Sequence, residues 1–568
     1  MDKAFSAEML EGYELDEPSI TLGAPMLDGE VLADVHVRVA LSRINRHGLI
    51  AGATGTGKTK TLQLIAEQLA AAGVPVFAVD VKGDLSGIGA PGDAANPKIV
   101  ERSQSIGWAF KAAGQPLEVL SLSGTTGAHV RASVSSFGPL LLGKVLDLNE
   151  TQTSILSLVF RYCDDQHLPL LDLADLRTTL KFLGSDDGKA VLEELGGISP
   201  ASLGVILRSI VTLEQEGADV FFGEPEFEVT DLLRTSLDGR GTVTLLEVAD
   251  VMDKPRLFST FVLWMLAQLY ETLPEVGDLP KPKLAFFFDE AHLLFDDASD
   301  ALMEQIERTA RLIRSKGVGV YFVTQAPTDV PSSVLSQLGN RVQHALRAFT
   351  PDDADALRKT ARTFPMTDHY DVERTITSLG IGEALVTVLS PKGIPTPLAA
   401  TRLIPPASRM APLTPDEIAQ VVALSPLQAR YGAPVDRESA HEIITARLAA
   451  AHIAAQAAVQ QSGVAVPGAG AGRGTGAGAA DPYGGMTRRE YEAQIRREAR
   501  EAERERNRQV REAERARRTA ERERKVAERA RQRSIDSAIR TGGRVITSRA
   551  GQSLIRGVFD TIFGGGRR

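Results

Sequence analysis

Cysteine is almost missing: Cys163 is the single one in 568 residues. That excludes a disulfide scaffold and a cysteine-based zinc site, and it suits a reducing compartment. Histidine is sparse too, nine residues with no H-x-x-x-H or comparable spacing to favour a transition metal. Long apolar runs are absent. The greasiest stretch, around 258–269, is interrupted by Ser259, Thr260 and Gln268 and is too short to cross a bilayer. The opening MDKAFSAEMLEGYELDEPSI has no apolar core or small-residue cleavage site. The reading is a soluble, cytoplasmic protein with no membrane insertion. Apolar residues at 43% and charged ones at 24% exclude overall disorder and fit an α/β or α-rich enzyme. The length allows two to four domains.

Charge is unevenly spread. Residues 487–533 hold 18 Arg/Lys against 11 Asp/Glu, and 534–568 hold six against two, so the net −9 leaves about −20 on the first 486 residues. A basic tail on an acidic body suggests contact with something anionic; a solvated helix is the plainer alternative.

Residues 1–19 are polar and expected to be a flexible N-terminus. From residue 20, short β-type segments precede LIAGATGTGKT (49–59), whose LIA reads as a buried strand. TKTLQLIAEQLAAAG (59–73) has helical spacing ending at Gly73, and VPVFAVDVKGD (74–84) is a second buried strand. Strand alternating with helix predicts a parallel sheet. Residues 20–138 and 236–405 are assigned to that α/β core. Residues 139–235 have helical period and few strand signals, so they read as an all-helical insertion. A helical extension is expected over 406–462 and a Gly/Ala-rich linker over 463–486. An Arg/Glu-rich helix follows over 487–535, supported by Glu–Arg pairs three and four apart. Lacking an apolar seam, it reads as a solvated single helix in preference to a coiled coil. The basic tail, 536–568, contains the apolar patch LIRGVFDTIFG, which is expected to dock on the body or on a protein partner.

The strongest motif is Gly52-Ala53-Thr54-Gly55-Thr56-Gly57-Lys58-Thr59, a G-x-x-x-x-G-K-[ST] string between a predicted strand and a predicted helix. Its glycines let the backbone N–H groups curl toward phosphate oxygens, and the helix start adds its dipole. Lys58 can reach the β- and γ-phosphates and the Thr59 hydroxyl can ligate Mg²⁺; Lys60 closes the nucleotide-binding stretch. The complementary signal is Phe286-Phe287-Phe288-Asp289-Glu290, a buried strand ending in carboxylates, where open α/β sheets bind ligands. Asp289 is the expected Mg²⁺ ligand and Glu290 the group that polarises the attacking water. Together the two motifs imply ATP hydrolysis.

GATGTGKT, a strand ending in VDVKGD, FFFDEAH, and a strand ending in VTQAPTDVPSSVLSQLGNRV occur in the order that resembles the HerA/FtsK branch of P-loop ATPases, nearest the HerA-like proteins. The likeness covers roughly 20–405. It implies a RecA-like core with a mainly parallel sheet, ATP and Mg²⁺ as ligands, and a hexameric ring acting on DNA. HerA carries a β-barrel before its P-loop; with Gly52 this near the start, none is expected here. The resemblance gives Gln325 the role of sensing the γ-phosphate and places Asp80 near the active site. Ring ATPases also need a cation from the neighbouring subunit. Arg308, Arg311, Arg314 and Arg341 are available, each equally able to hold a surface carboxylate, and the resemblance singles out Arg314 and Arg341. His292 and Cys163 read as packing residues. Three functions follow: a DNA translocase or helicase-type motor, a secretion- or conjugation-type polymer pump, and a non-motor ATP-dependent switch or scaffold.

Overall fold

Alternation along FFF already divides the molecule in two. Phe286 and Phe288 point to one face of the sheet, where Phe286 meets Phe77 (ring centroids 4.4 Å) and Phe288 stacks on Phe322 (5.5 Å). Phe287 points to the other face and stacks on Tyr321 at 5.0 Å. All three rings are fully buried, each contributing about 1.5–3 kcal/mol of hydrophobic stabilisation.

The computed structural model describes residues 2–461 apart from 195–197, 252–253 and 296–299. They lie within one compact unit, Met1–Gly463. The linker, Arg/Glu-rich helix and basic tail expected over 463–486, 487–535 and 536–568 lie outside the described residues.

Thirteen strands form the sheet: β1 (Ser19–Leu27), β2 (Glu30–Val31), β3 (Val37–Ala40), β4 (Gly48–Ala51), β5 (Val76–Asp80), β6 (Leu117–Ser121), β7 (Ala128–His129), β8 (Val243–Glu247), β9 (Leu284–Phe288), β10 (Val318–Thr324), β11 (Asn340–Gln343), β12 (Glu383–Thr387) and β13 (Ala399–Leu403). Their order is β2-β1-β13-β12-β11-β4-β10-β9-β5-β8-β6-β7, with β3 paired to β1. From β11 to β7 every pairing is parallel. β11, β12, β13 and β1 are joined antiparallel. This is the mainly parallel α/β architecture the sequence predicts, with an antiparallel annex.

Both faces of the parallel part are covered, which explains why β4, β5, β8, β9 and β10 are buried throughout. One face carries the Lys58–Ala71 helix. The other carries the Pro255–Thr272 helix and the helices between β7 and β8: Val134–Val145, Glu150–Asp165, Leu173–Leu183, Lys189–Glu194 and Pro200–Gln215. Cys163 lies buried among them, its thiol pushed up to about 12 by burial.

The start of the chain departs from the flexible N-terminus expected over 1–19. Lys3–Tyr13 is a helix whose first turn is capped by the Asp2 carboxylate accepting from the Ala4 N–H. Phe5, Met9 and Tyr13 recur every four residues on one buried face. The Tyr13 hydroxyl donates to the Pro397 carbonyl at 2.6 Å. Three large side chains at helical spacing outweigh the polar composition around them.

Candidate nucleotide site

The sheet order brings four loops to one edge. Parallel neighbours β4, β10, β9 and β5 all end on the same side, so the residues following them stand in a row: Gly52, Gln325, Asp289–Glu290 and Lys82.

After β4 the chain turns through Gly52–Gly57 into the Lys58–Ala71 helix. Its first N–H groups have no intrahelical acceptor and face the loop, the arrangement that binds anions. Gly57, at the helix N-cap, has φ 114°, which a side chain would strain. Gly52 is required by close approach: a Cβ there would lie 2.4 Å from the His344 Cβ. His344 forms the floor of the loop. Fully buried, it pairs through Nε2 with the Thr61 hydroxyl at 2.9 Å, and burial holds its pKa down at about 4. The Ala53 N–H donates to Ala345 O at 2.8 Å, and the Gly382 N–H donates to Thr56 O at 3.0 Å. Arg102 in turn donates to the Gly382 carbonyl at 3.0 Å, so three separate segments hold the loop.

Thr54 and Gly55 are exposed at the tip of the loop and Thr59 is half-buried. Lys58 is buried and donates to Ala53 O at 3.3 Å; burial lowers its pKa, opposed by the charges of Glu290 and Asp289. Lys60 donates to Gln63 Oε1 and Asp84 O, which points it along the helix toward the loop after β5.

Asp289 is buried at the end of β9. Its Oδ1 accepts the Glu290 N–H at 3.0 Å, whereas its Oδ2 is buried with no protein partner. Burial and then the adjacent Glu290 charge push its carboxyl up to about 7. A buried oxygen without a donor, in a field of negative charge, fits a divalent cation, and Mg²⁺ with nucleotide is held by few protein ligands plus phosphates. Asp289 and Thr59 would supply those ligands. Glu290 sits at φ 47° and receives the Lys82 ammonium on Oε1. Burial raises its pKa, but that bond and the charges of Lys82, Lys58 and His292 carry it below the usual range. His292 Nδ1 lies 3.5 Å from Glu290 Oε2.

Gln325 is exposed directly after β10, beside the loop that begins where the Gly52 N–H donates to Thr324 O. Asp80 does not open toward the site. It is fully buried, and its carboxylate accepts the N–H groups of Lys82 (3.2 Å), Gly83 (2.8 Å), Asp84 (3.3 Å) and Leu85 (2.8 Å). It shapes the loop that delivers Lys82.

The two arginines stand apart from this edge. Arg314 is exposed in the turn before β10, on the far side of a seven-residue strand, about 20 Å away. It lines a cleft of about 520 Å³ with Arg43, Arg46 and Lys392. Arg341, on β11, donates to the carbonyls of Leu335, Leu338 and Thr363.

Sequence reasoning missed Lys82, Glu247, His344 and Arg102. Lys82 was legible as a lysine two residues past a strand-ending aspartate. Glu247 ends β8, as Asp289 follows β9, and the same search for a strand ending in an acid finds it. It is buried, its Oε1 has no partner, and burial followed by Asp80's charge pushes it up to about 8. Nothing local marks His344 or Arg102.

A family model described as "Helicase HerA-like C-terminal" matches residues 27–482. The chain belongs to that family. It is a HerA-like P-loop ATPase. This HerA-like chain is 22% identical over 374 residues to the DNA double-strand break repair helicase HerA of Sulfolobus acidocaldarius, a match spanning 62% of this chain and 64% of the relative. The chain thus covers just under two thirds of that relative's length. Among solved structures, the bacterial conjugative coupling protein TrwBdeltaN70 is 15% identical, with 72% of this chain and 93% of that chain covered at a TM-score of 0.45. VirB4 of Thermoanaerobacter pseudethanolicus is 13% identical, covering 69% and 98% at 0.43. No described helix is long and apolar enough to cross a membrane.

Proposed function

We propose that this HerA-like chain is an ATP-hydrolysing motor that assembles as a ring, hexameric as the family resemblance implies, and translocates DNA in the cytoplasm. One observation carries the ATPase reading: Lys58, Asp289 and Glu290 converge at the carboxyl edge of the parallel sheet, after β4 and β9 on either side of β10, close enough to shift one another's pKa. ATP is the substrate and Mg²⁺ the ion. Mg²⁺ would supply positive charge against the phosphate oxygens. Lys58 binds the β- and γ-phosphates, the loop N–H groups orient them, and Thr59 and Asp289 hold the ion. Glu290 accepts the proton of the attacking water, and Gln325 orients that water. The roles assigned to Ala53, Thr54, Thr56 and Lys60 are those of the lining around the phosphates.

DNA as the polymer is supported by the basic cleft of Arg43, Arg46, Arg314 and Lys392 on a body that is otherwise acidic. Arg314 lies too far from its own nucleotide loop to serve it. We infer that it meets a phosphate of another molecule, the neighbouring subunit's nucleotide or a nucleic-acid backbone. The basic tail is proposed as a further contact for a protein partner.

The test measures ATP turnover with and without single- and double-stranded DNA across a salt series, together with particle mass in ATP. Stimulation by DNA that fades with salt supports the translocase. Turnover indifferent to DNA would leave the polymer pump or the switch as the better reading. Absence of any ATP turnover that Lys58→Ala abolishes would sink the ATPase itself.

A further inference from the structure

Glu290 is expected to work as a base, yet in this structure one of its oxygens is occupied by the Lys82 ammonium. The inference about that pair rests on the ATPase reading above. β5 and β9 are hydrogen-bonded neighbours in register Val79↔Phe288, so the loops leaving them are forced side by side. The backbone beneath Lys82 is fixed by the four N–H bonds to Asp80. Its side chain is not: it is 50% exposed, whereas that of Glu290 is 7% exposed. The ammonium therefore covers the open side of a buried carboxylate, on a four-carbon stem able to swing. Lys58 reaches the same place from β4, and the charges of the two lysines act on each other. The charges of Asp289 and Glu290 act on both lysines and offset that repulsion.

A terminal phosphate held by Lys58 would add negative charge at this point, and a diphosphate would not. We propose that Lys82 moves from Glu290 to the terminal phosphate of a bound nucleoside triphosphate, so that Glu290 is released as a base only when there is a phosphate to cleave. Lys82 is then a catalytic residue that reads the γ-phosphate, and Asp80 is the residue that positions it.

The experiment uses the full chain and measures binding of ADP and of a non-hydrolysable ATP analogue, each with Mg²⁺, alongside ATP turnover and thermal unfolding. Wild type, Lys82→Met and Lys82→Arg are compared. The methionine keeps the apolar stem and removes the charge. Lys82→Met is expected to lose roughly tenfold in triphosphate affinity, to keep ADP affinity and thermal midpoint, and to lose turnover. Lys82→Arg is expected to recover most of the preference for triphosphate. If Lys82→Met binds both nucleotides as wild type does, or loses both equally, the lysine has no contact with the terminal phosphate and the proposal is overturned. If wild type binds neither nucleotide, the ATPase reading fails and takes this one with it.

Discussion

Single side chains at the nucleotide loop differ in what their loss removes. Lys58 is a ligand-facing cation, so Lys58→Ala is expected to abolish nucleotide binding or turnover while leaving the thermal midpoint nearly unchanged. Glu290→Gln removes the proton acceptor and leaves Asp289, so it should hold ATP and turn it over very slowly. Near wild-type turnover in that variant would show that another group is the base. Gly52→Ala is of a different kind. A Cβ placed 2.4 Å from the His344 Cβ and 3.1 Å from its Cα forces the floor of the loop to shift. The expected cost is about 1–3 kcal/mol, read as a lower thermal midpoint together with lost nucleotide binding. His344→Gly removes that Cβ, and in its background Gly52→Ala should be less damaging.

At the scale of elements, the helix behind the nucleotide loop is clamped by a polar contact. Gln63 and Glu67, one turn apart, both face the segment 407–409. Gln63 donates to the Ser408 hydroxyl (2.8 Å) and Arg409 O (2.9 Å), and Glu67 accepts the N–H groups of Ala407 (2.6 Å) and Ser408 (2.9 Å). Burial pushes Glu67 up to about 7 from its ordinary 4.5, against the pull of those hydrogen bonds. An acid raised in the folded state binds more protons there than in the unfolded chain. Its stabilisation is complete below the unfolded value of 4.5 and is lost as pH rises through about 7. Glu67 should therefore contribute a fall in thermal midpoint between about pH 4.5 and 7 in the nucleotide-free protein. Glu67→Gln should flatten that slope; an unchanged slope would place the titration elsewhere. Glu247, raised to about 8, acts in the same direction. His47, His129 and His344, each lowered to about 4, act oppositely, and their contribution is lost as pH falls from 6.5 toward 4.

For the whole molecule, three predictions separate assembly and folding from catalysis. If Arg314 acts across a subunit boundary, mixing Arg314→Ala with Lys58→Ala subunits should restore part of the turnover, because some intact nucleotide loops then face an intact arginine. Subunit exchange must be confirmed by mass, and exchanged rings with no recovery would reject the trans role. Arg341→Ala strands three carbonyls, at about 1–3 kcal/mol, so it should lower the thermal midpoint more than Arg314→Ala does. A chain ending at Ser462 should remain a folded ATPase, since the nucleotide site and its supports precede that residue. Insolubility of the shortened chain would show that the apolar patch LIRGVFDTIFG is covered by the body.

The phosphate loop, the FFFDE strand and the alternation that makes a parallel sheet could all be read directly from the chain. Each is a local pattern in which neighbouring residues carry the whole signal. What stands beside those motifs depended on strand order. Lys82 and Glu290 are 208 positions apart, and they meet because β5 pairs with β9 instead of with β4. His344 reaches Thr61 across 283 positions because β11 lies parallel to β4. Where the polar atoms of Asp80 and Arg341 end is likewise decided by loops packed against them, which spacing does not record. The N-terminal helix was misread because its polar residues dominate the composition while three side chains decide its burial. Local pattern is enough to specify a strand, a turn or a phosphate loop. Which loops share an edge is a long-range pairing, set by burial of both sheet faces at once, and only the folded chain decides it.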